Sequence, residues 1–144
     1  MSKMKLANVD DRLLSVPEVT VILQRIVDDV ARQVDFLYPN LKAMERGTLI
    51  DNLTRERVAN TPALAKSTLD GKVNKDPDLM SPLYPNVWWD MSTQNSFERS
   101  KWQKYAEPFG PIGILLDTHS YKVENAPARV LTPGKLGSRV GGEG

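Results

Sequence analysis

The clearest pattern along the chain is a helical stripe of apolar residues in its first third. Ser15 and Glu18 have the spacing of a capping box, in which two side chains satisfy early backbone donors. Apolar residues then recur every three or four positions, which is typical of one buried helical face. These positions are Val19, Leu23, Ile26, Val30, Val34 and Leu37. The pattern predicts a helix of about 22 residues, roughly 33 Å long, that ends before Pro39.

Weaker patterns predict several short helices after this one. A helix over 41–46 is expected to stop at Gly47, because glycine commonly ends helices. Thr48 then resembles the cap of a further helix that extends towards Val58. We therefore interpret residues 1–73 as a helical unit.

The pattern changes from residue 74 onward. Three prolines at positions 77, 82 and 85 exclude a continuous helix or a central strand there. Residues 95–98 resemble another capping box, and the helix that follows is expected to end before Pro108. An apolar run and a second short segment are expected to pair as a small β-hairpin over 112–124.

The last segment, 125–144, is rich in glycine and has no apolar periodicity. We predict an extended arm, because such a segment cannot bury enough apolar surface to offset the entropy of its ordering. Segment 74–124 is expected to pack on residues 1–73 as one domain. The predicted fold class is mainly α, with one long amphipathic helix, several short helices, the hairpin and the C-terminal arm. An α+β fold is the alternative.

Composition and charge exclude several classes of function. The 144 residues carry 19 Lys and Arg against 18 Asp and Glu. A net charge of +1 provides no strong positive electrostatic field for binding the phosphates of nucleic acid. The lack of cysteine excludes disulfides, thiol nucleophiles and thiolate metal sites. With a single histidine, we expect no cofactor and no metal. There is neither a secretory signal nor an apolar run of about 20 residues, so we expect cytoplasmic synthesis and no membrane insertion.

Two arrangements of polar residues resemble known functional sites, a hydrolytic triad and a calcium-binding loop, but we interpret both as turns or loops. His119 lies between Asp117 and Ser120, but a hydrolytic triad needs the imidazole bonded to both partners at once. Three neighbours on one turn rarely meet that requirement. A loop that starts at Asn74 resembles a calcium site, yet leucine and proline stand where glycine and glutamate are required. The chain is therefore not expected to be an enzyme.

The least random feature is a cluster of aromatic residues. Seven of the ten aromatics lie within 26 positions, and they either close a core or form a protein interface. Trp88 and Trp89 are adjacent, so in an extended chain they point to opposite faces, and one is expected to meet a partner or a covering loop. The predicted interface joins aromatic residues to residues of the arm. Its members are Trp88, Trp89, Trp102, Tyr105, Phe109, Arg129, Leu131, Lys135, Leu136, Arg139 and Val140.

These features favour a structural or assembly subunit of a large protein complex, with identical or different protein subunits as partners. A virion, in particular a phage head, neck or tail, is the setting that we favour, with the chain incorporated into the particle after synthesis. One alternative is a small dimeric adaptor that pairs through the helix over 16–38. Another is a carboxylate-based hydrolase. The candidate carboxyl groups for such an enzyme are Asp90, Glu98, Glu107 and Asp117.

Overall fold

The computed structural model of the protein describes residues 12–70, 77–122 and 129–131. The first of these ranges is helical. Its elements are α1 at Val16–Leu37, α2 at Ala43–Ala59 and a 3-10 helix at Pro62–Ser67. The capping box of α1 is confirmed, because the Glu18 N–H donates to Ser15 Oγ at 3.3 Å and the Ser15 N–H donates to Glu18 Oε1 at 2.8 Å.

The helix break predicted at Gly47 is wrong, because α2 continues through this residue. The start of α2 is fixed instead at Lys42, whose N–H donates to Glu45 Oε1 at 3.1 Å. Neither a positive φ nor a close approach requires a glycine at position 47, where an added Cβ would meet nothing within 4 Å. The helix turns one face to the core. The buried residues on that face are Ile50, Thr54 and Val58.

The rest of the described chain forms a four-stranded sheet in the order β1-β2-β3-β4. The strands are β1 at Leu79–Met80, β2 at Val87–Ser92, β3 at Ile112–Asp117 and β4 at Arg129–Leu131. The two central strands, β2 and β3, are parallel, and each has an antiparallel neighbour at the edge. A crossover helix over 94–109 connects them. It consists of α3 at Gln94–Ser96, a π-helical turn at Phe97–Lys101 and α4 at Trp102–Phe109.

The structure corrects two predictions about this region. The hairpin over 112–124 is wrong, because β3 pairs with β2 and β4, and Ser120–Lys122 is a 3-10 turn. The end predicted before Pro108 is also wrong, since this proline lies inside α4. A parallel pair needs a long crossover between its strands, so no local sequence pattern reveals it. The fold is helix-rich and belongs to the α+β class.

Part of the predicted arm belongs to the sheet. Arg129–Leu131 forms β4 and pairs with Gly113, Ile114 and Leu115 of β3. The prediction that this stretch has nothing to fold onto is therefore wrong. The remainder of the predicted arm lies outside the described residues.

The sheet is covered on both faces. Helices α1 and α2 pack on one face, and the crossover helix packs on the other. Trp88 and Trp89 alternate as predicted, and both are fully buried. Trp89 lies against α1, where its Nε1–H donates to Thr20 Oγ1 at 2.9 Å. Trp88 lies under the crossover helix, and its Nε1–H donates to the Gly110 carbonyl at 2.9 Å.

The apolar stripe of α1 is part of this core. Leu23, Val27 and Val30 are almost completely buried among residues of α2 and the sheet. The stripe is therefore covered by the chain's own domain, and the alternative of a dimeric adaptor that pairs through the helix over 16–38 stays a prediction. The exposed apolar residues of α1 lie elsewhere, at Val21 and at the C-terminal end.

Two glycine substitutions test this packing. A Cβ at Gly113 would lie 2.3 Å from Trp88 Cζ2, so Gly113→Ala should force the buried indole to move and destabilise the protein by about 1–3 kcal/mol. Gly47→Ala is the matched control and should stabilise α2 by roughly 0.5–1 kcal/mol. Urea denaturation followed by circular dichroism measures both changes. Equal effects of the two substitutions would contradict the packing described for Trp88.

Candidate functional site

A cleft of about 440 Å³ lies at the carboxyl ends of β2 and β3. Ligand sites commonly occupy this position beside parallel strands. Helix α2 forms one wall, and the crossover helix forms another. The charged or titratable residues that line the cleft are Arg46, Asp51, Lys101 and His119. The hydroxyl groups in its lining belong to Thr48, Ser92, Thr93, Ser96 and Thr118.

Two side chains fix the strand ends at the cleft. The buried Gln24 amide pairs with the backbone of Asp117, since Gln24 Nε2–H donates to its carbonyl at 3.1 Å and Gln24 Oε1 accepts its N–H at 3.2 Å. This holds the end of β3 against α1. After β2, Thr93 Oγ1 accepts the Ser96 N–H at 3.2 Å and caps the crossover helix. The sequence pattern predicted residue 95 as the cap of this helix, but the cap is Thr93.

Arg46 organises one end of the cleft. Its guanidinium donates to both carboxylate oxygens of Asp35, at 2.6 and 3.0 Å, and to the Thr118 carbonyl at 2.8 Å. The Tyr121 hydroxyl donates to the same carboxylate. The hydrogen bonds from Arg46 lower the pKa of Asp35 to about 2. This network ties α1, α2 and the turn after β3 together.

His119 is not part of a hydrolytic triad. Arg46 Nη1 lies 3.2 Å from His119 Nε2, and because a guanidinium can only donate, that nitrogen accepts and the neutral ring carries its proton on Nδ1. Asp117 Oδ1 accepts from the backbone N–H of His119 at 2.8 Å. Burial and the charge of Arg46 lower the pKa of His119. The polar turn inferred from the sequence matches this arrangement.

A group of three acidic side chains adjoins the cleft, and one of them, Asp51, also lines it. We name this group the carboxyl cluster: Asp51, Asp78 and Asp90. Asp90 Oδ1 accepts the Asp78 N–H at 3.0 Å, and Asp78 Oδ2 accepts the Met91 N–H at 2.8 Å. These reciprocal bonds continue the pairing of β1 with β2 beyond the last paired residues. Side chains thus replace backbone groups where the short edge strand begins.

Two cations face the carboxyl cluster. Arg55 Nη1 donates to Asp78 Oδ1 at 3.4 Å, and Lys101 Nζ lies 3.5 Å from Asp90 Oδ2. Within the described chain, one buried oxygen of Asp51 and Oδ2 of Asp90 have no hydrogen-bond donor. Three carboxyl groups and two cations therefore share a region from which water is largely excluded.

Burial dominates the electrostatics of the carboxyl cluster. Desolvation, together with the Asp78 carboxylate, raises the pKa of Asp51 to about 7. Desolvation also raises the pKa of Asp78, and it raises that of Asp90 well above the ordinary range. Burial alone would lower the pKa of Lys101, but the carboxylates of Asp90 and Asp78 raise it overall. Charged carboxyl groups are costly here, and the pKa of Asp51 is brought close to neutral pH.

The predicted aromatic interface is not on the surface. Trp88, Trp89, Trp102 and Tyr105 are buried in the core, and only Phe109 is half-buried. The prediction that the buried four form an exposed interface is wrong, because each packs against the sheet or the helices that cover it. Among the predicted arm residues, Arg129 and Leu131 lie in β4. Those outside the described residues are Lys135, Leu136, Arg139 and Val140.

The carboxyl groups proposed for a hydrolase do not line the cleft. Asp90 is fully buried, and Glu98, Glu107 and Asp117 are absent from the lining of the cleft. The acidic residue of the lining is Asp51, which the sequence reasoning did not select. No local signal marked Asp51 or Lys101, because α2 and the crossover helix bring them to the cleft from distant parts of the chain.

A second surface feature is an apolar corner between α1 and α2, defined by Phe36, Leu37, Tyr38 and Met44. Phe36 and Met44 are each 84% exposed, and Leu37 and Tyr38 are more than half exposed. Met44 also lines the mouth of the cleft. The apolar pattern placed Leu37 in the buried stripe, but the last buried residue of α1 is Val34.

No protein family, no curated protein and no solved structure matches this chain. Across the part of the chain that the structure describes, no helix has the length and apolar character needed to cross a membrane. In the same residues, no three His, Asp or Glu side chains are grouped closely enough to hold a metal ion.

Asp51→Asn tests the electrostatics of the carboxyl cluster. The pKa of Asp51 rises from an ordinary 3.8 to about 7, so between these values the folded state holds a proton that the unfolded chain has lost. The free energy of unfolding should therefore fall as pH rises through that window. In urea denaturation at several pH values, Asp51→Asn should reduce this dependence of the free energy of unfolding on pH. Glu56→Gln, which changes an exposed carboxylate on α2, should preserve it. An unchanged slope in Asp51→Asn would contradict the assignment.

The single imidazole of the protein tests the Arg46 contact. Because burial and the Arg46 charge lower the pKa of His119, its NMR titration midpoint should lie below the ordinary 6.5. Arg46→Gln removes the charge and should raise that midpoint. Arg32→Gln, at an exposed arginine paired with Asp29, is the matched control and should leave it unchanged. A wild-type midpoint above 6.5 would argue against a neutral ring facing Arg46.

Proposed function

We propose that the protein is a structural subunit that binds other protein subunits through the apolar corner. The observation that carries this proposal is the exposure of Phe36 and Met44, each 84% exposed. Leu37 and Tyr38, which follow Phe36 in the chain, are more than half exposed. Large apolar side chains are costly to keep in water, and exposed apolar patches are typical of protein interfaces. Aromatic residues at such positions commonly contribute much of the binding energy.

The framework beneath the apolar corner supports a binding role. Asp35, which precedes Phe36, forms the two-bond ion pair with Arg46, which follows Met44 by two positions. The end of α1 and the start of α2 are therefore fixed relative to each other. A rigid apolar surface loses less conformational entropy on binding than a mobile one.

The partner that we propose first is a second copy of the chain, since most soluble assemblies join identical subunits. A virion remains the setting that we favour, on the sequence grounds of small size and the absence of a recognisable catalytic motif. The apolar corner takes the role that the sequence reasoning gave to the aromatic residues now placed in the core.

Sedimentation velocity over a range of protein concentrations tests this proposal. The wild-type chain should associate reversibly, and the double variant Phe36→Asp, Met44→Asp should sediment as a monomer with an unchanged unfolding transition. The control is Val21→Asp, Leu83→Asp, which places the same charges on two exposed apolar residues outside the corner. This control should associate like the wild type. A wild type that remains monomeric, or a control that is equally impaired, would refute the proposal.

A further inference from the structure

Asp90 has the environment of an activated carboxyl group. It is fully buried in the middle of β2, and its Oδ1 accepts the Asp78 N–H at 3.0 Å. A backbone donor at this oxygen stabilises the negative charge that develops there when a nucleophile attacks the carboxyl carbon. The other oxygen, Oδ2, has no hydrogen bond in the described structure and faces Lys101 Nζ at 3.5 Å. Oδ2 is thus the oxygen in position to leave.

Lys101 supplies an amine beside this carboxyl group. It is the last residue of the π-helical turn, in which the Trp102 N–H donates to the Phe97 carbonyl. Wide helical turns of this kind often occur at functional sites. The Lys101 side chain is 32% exposed, whereas that of Asp90 is 0% exposed. The amine therefore lies at the cleft, and the carboxyl group that it faces lies in the protein interior. An amine becomes a nucleophile once it loses its extra proton to a nearby base.

Asp51 is the carboxyl group best suited to take that proton. Asp78 is less suited, because its two oxygens already accept from Met91 and Arg55. Asp51 and Lys101 both line the cleft, and Asp51 has a buried oxygen without a donor. A pKa of about 7 allows this carboxyl group to accept and release a proton near neutral pH.

We propose that Lys101 and Asp90 condense into an isopeptide bond within the folded chain. Lys101 Nζ passes one of its three protons to the Asp51 carboxylate and attacks the carboxyl carbon of Asp90, which is in its acid form. The new C–N bond forms, the C–Oδ2 bond breaks, and Oδ2 leaves as water with the acid proton and one proton from the nitrogen. The last proton of the nitrogen remains on the amide, and Asp51 releases the proton that it accepted to solvent. The reaction needs no oxidant, reductant or second substrate.

The product removes features that are costly in the folded chain. Condensation replaces a charged amine and a desolvated carboxyl group with one neutral amide. It also eliminates the Asp90 oxygen that lacks a hydrogen bond. The bond ties the centre of β2 to the helix that covers it. Because Lys101 rests as an ammonium, the condensation is slow and follows folding.

Intact-mass spectrometry of the folded protein, sampled over time near neutral pH, tests the proposal. The expected product is lighter than the sequence mass by about 18 Da, the mass of one water. Trypsin should no longer cleave after Lys101, so peptide 76–99 should be recovered linked to peptide 100–104. Protein kept in denaturant throughout should retain the full mass.

Four variants separate this reaction from other dehydrations. Lys101→Arg keeps the positive charge and should abolish the loss of mass. Cyclisation at the Asp70-Gly71 sequence would also remove one water, but that loss of mass would persist in Lys101→Arg. Asp90→Asn should lose about 17 Da, because ammonia leaves in place of water. Asp51→Asn should slow the reaction by about 100-fold or more, and Glu56→Gln should not.

A wild-type protein that retains its full mass after prolonged incubation in the folded state would overturn the proposal. A mass loss that persists in Lys101→Arg would overturn it as well. Neither result depends on the oligomeric state of the chain, so each is independent of the function proposed for the apolar corner.

Discussion

Burial of β2 on both faces is the constraint on which the rest of the structure depends. Trp88 and Trp89 are adjacent and both fully buried, so each face of the strand needs its own cover. Helices α1 and α2 provide one cover and the crossover helix provides the other. The parallel pairing with β3 follows, because a chain that crosses one face of the sheet returns in the same direction.

The same burial produces the chemistry of the site. Asp90 follows the two tryptophans on β2, so its carboxyl group has no access to water and depends on Asp78 and Lys101 for partners. Burial therefore raises the pKa of all three groups of the carboxyl cluster. The adjoining cleft opens where β2 and β3 end, and Asp51 and Lys101 join the cleft to the cluster. The apolar corner adjoins the other side of the cleft, where the part-buried Asp35–Arg46 ion pair holds the end of α1 against the start of α2.

Local sequence signals predicted the local parts of this fold. The period of α1, its cap at Ser15 and the opposite orientations of Trp88 and Trp89 could all be derived from neighbouring residues. The parallel pairing of β2 with β3 could not, because its partners are about 25 residues apart and no short pattern records the contact. The carboxyl cluster was missed for the same reason, since Asp51, Asp78 and Asp90 come from three elements. The surface role given to the tryptophans failed because composition does not distinguish a core from an interface.

Tryptophan fluorescence tests the central claim most directly, since all three tryptophans of the protein are buried. The folded chain should emit at short wavelength, and acrylamide should quench that emission only weakly until the protein unfolds. Trp88→Phe and Trp89→Phe should each leave a remaining emission that is equally protected. A component in the native protein that is red-shifted and strongly quenched would place an indole in water and contradict burial of β2 on both faces.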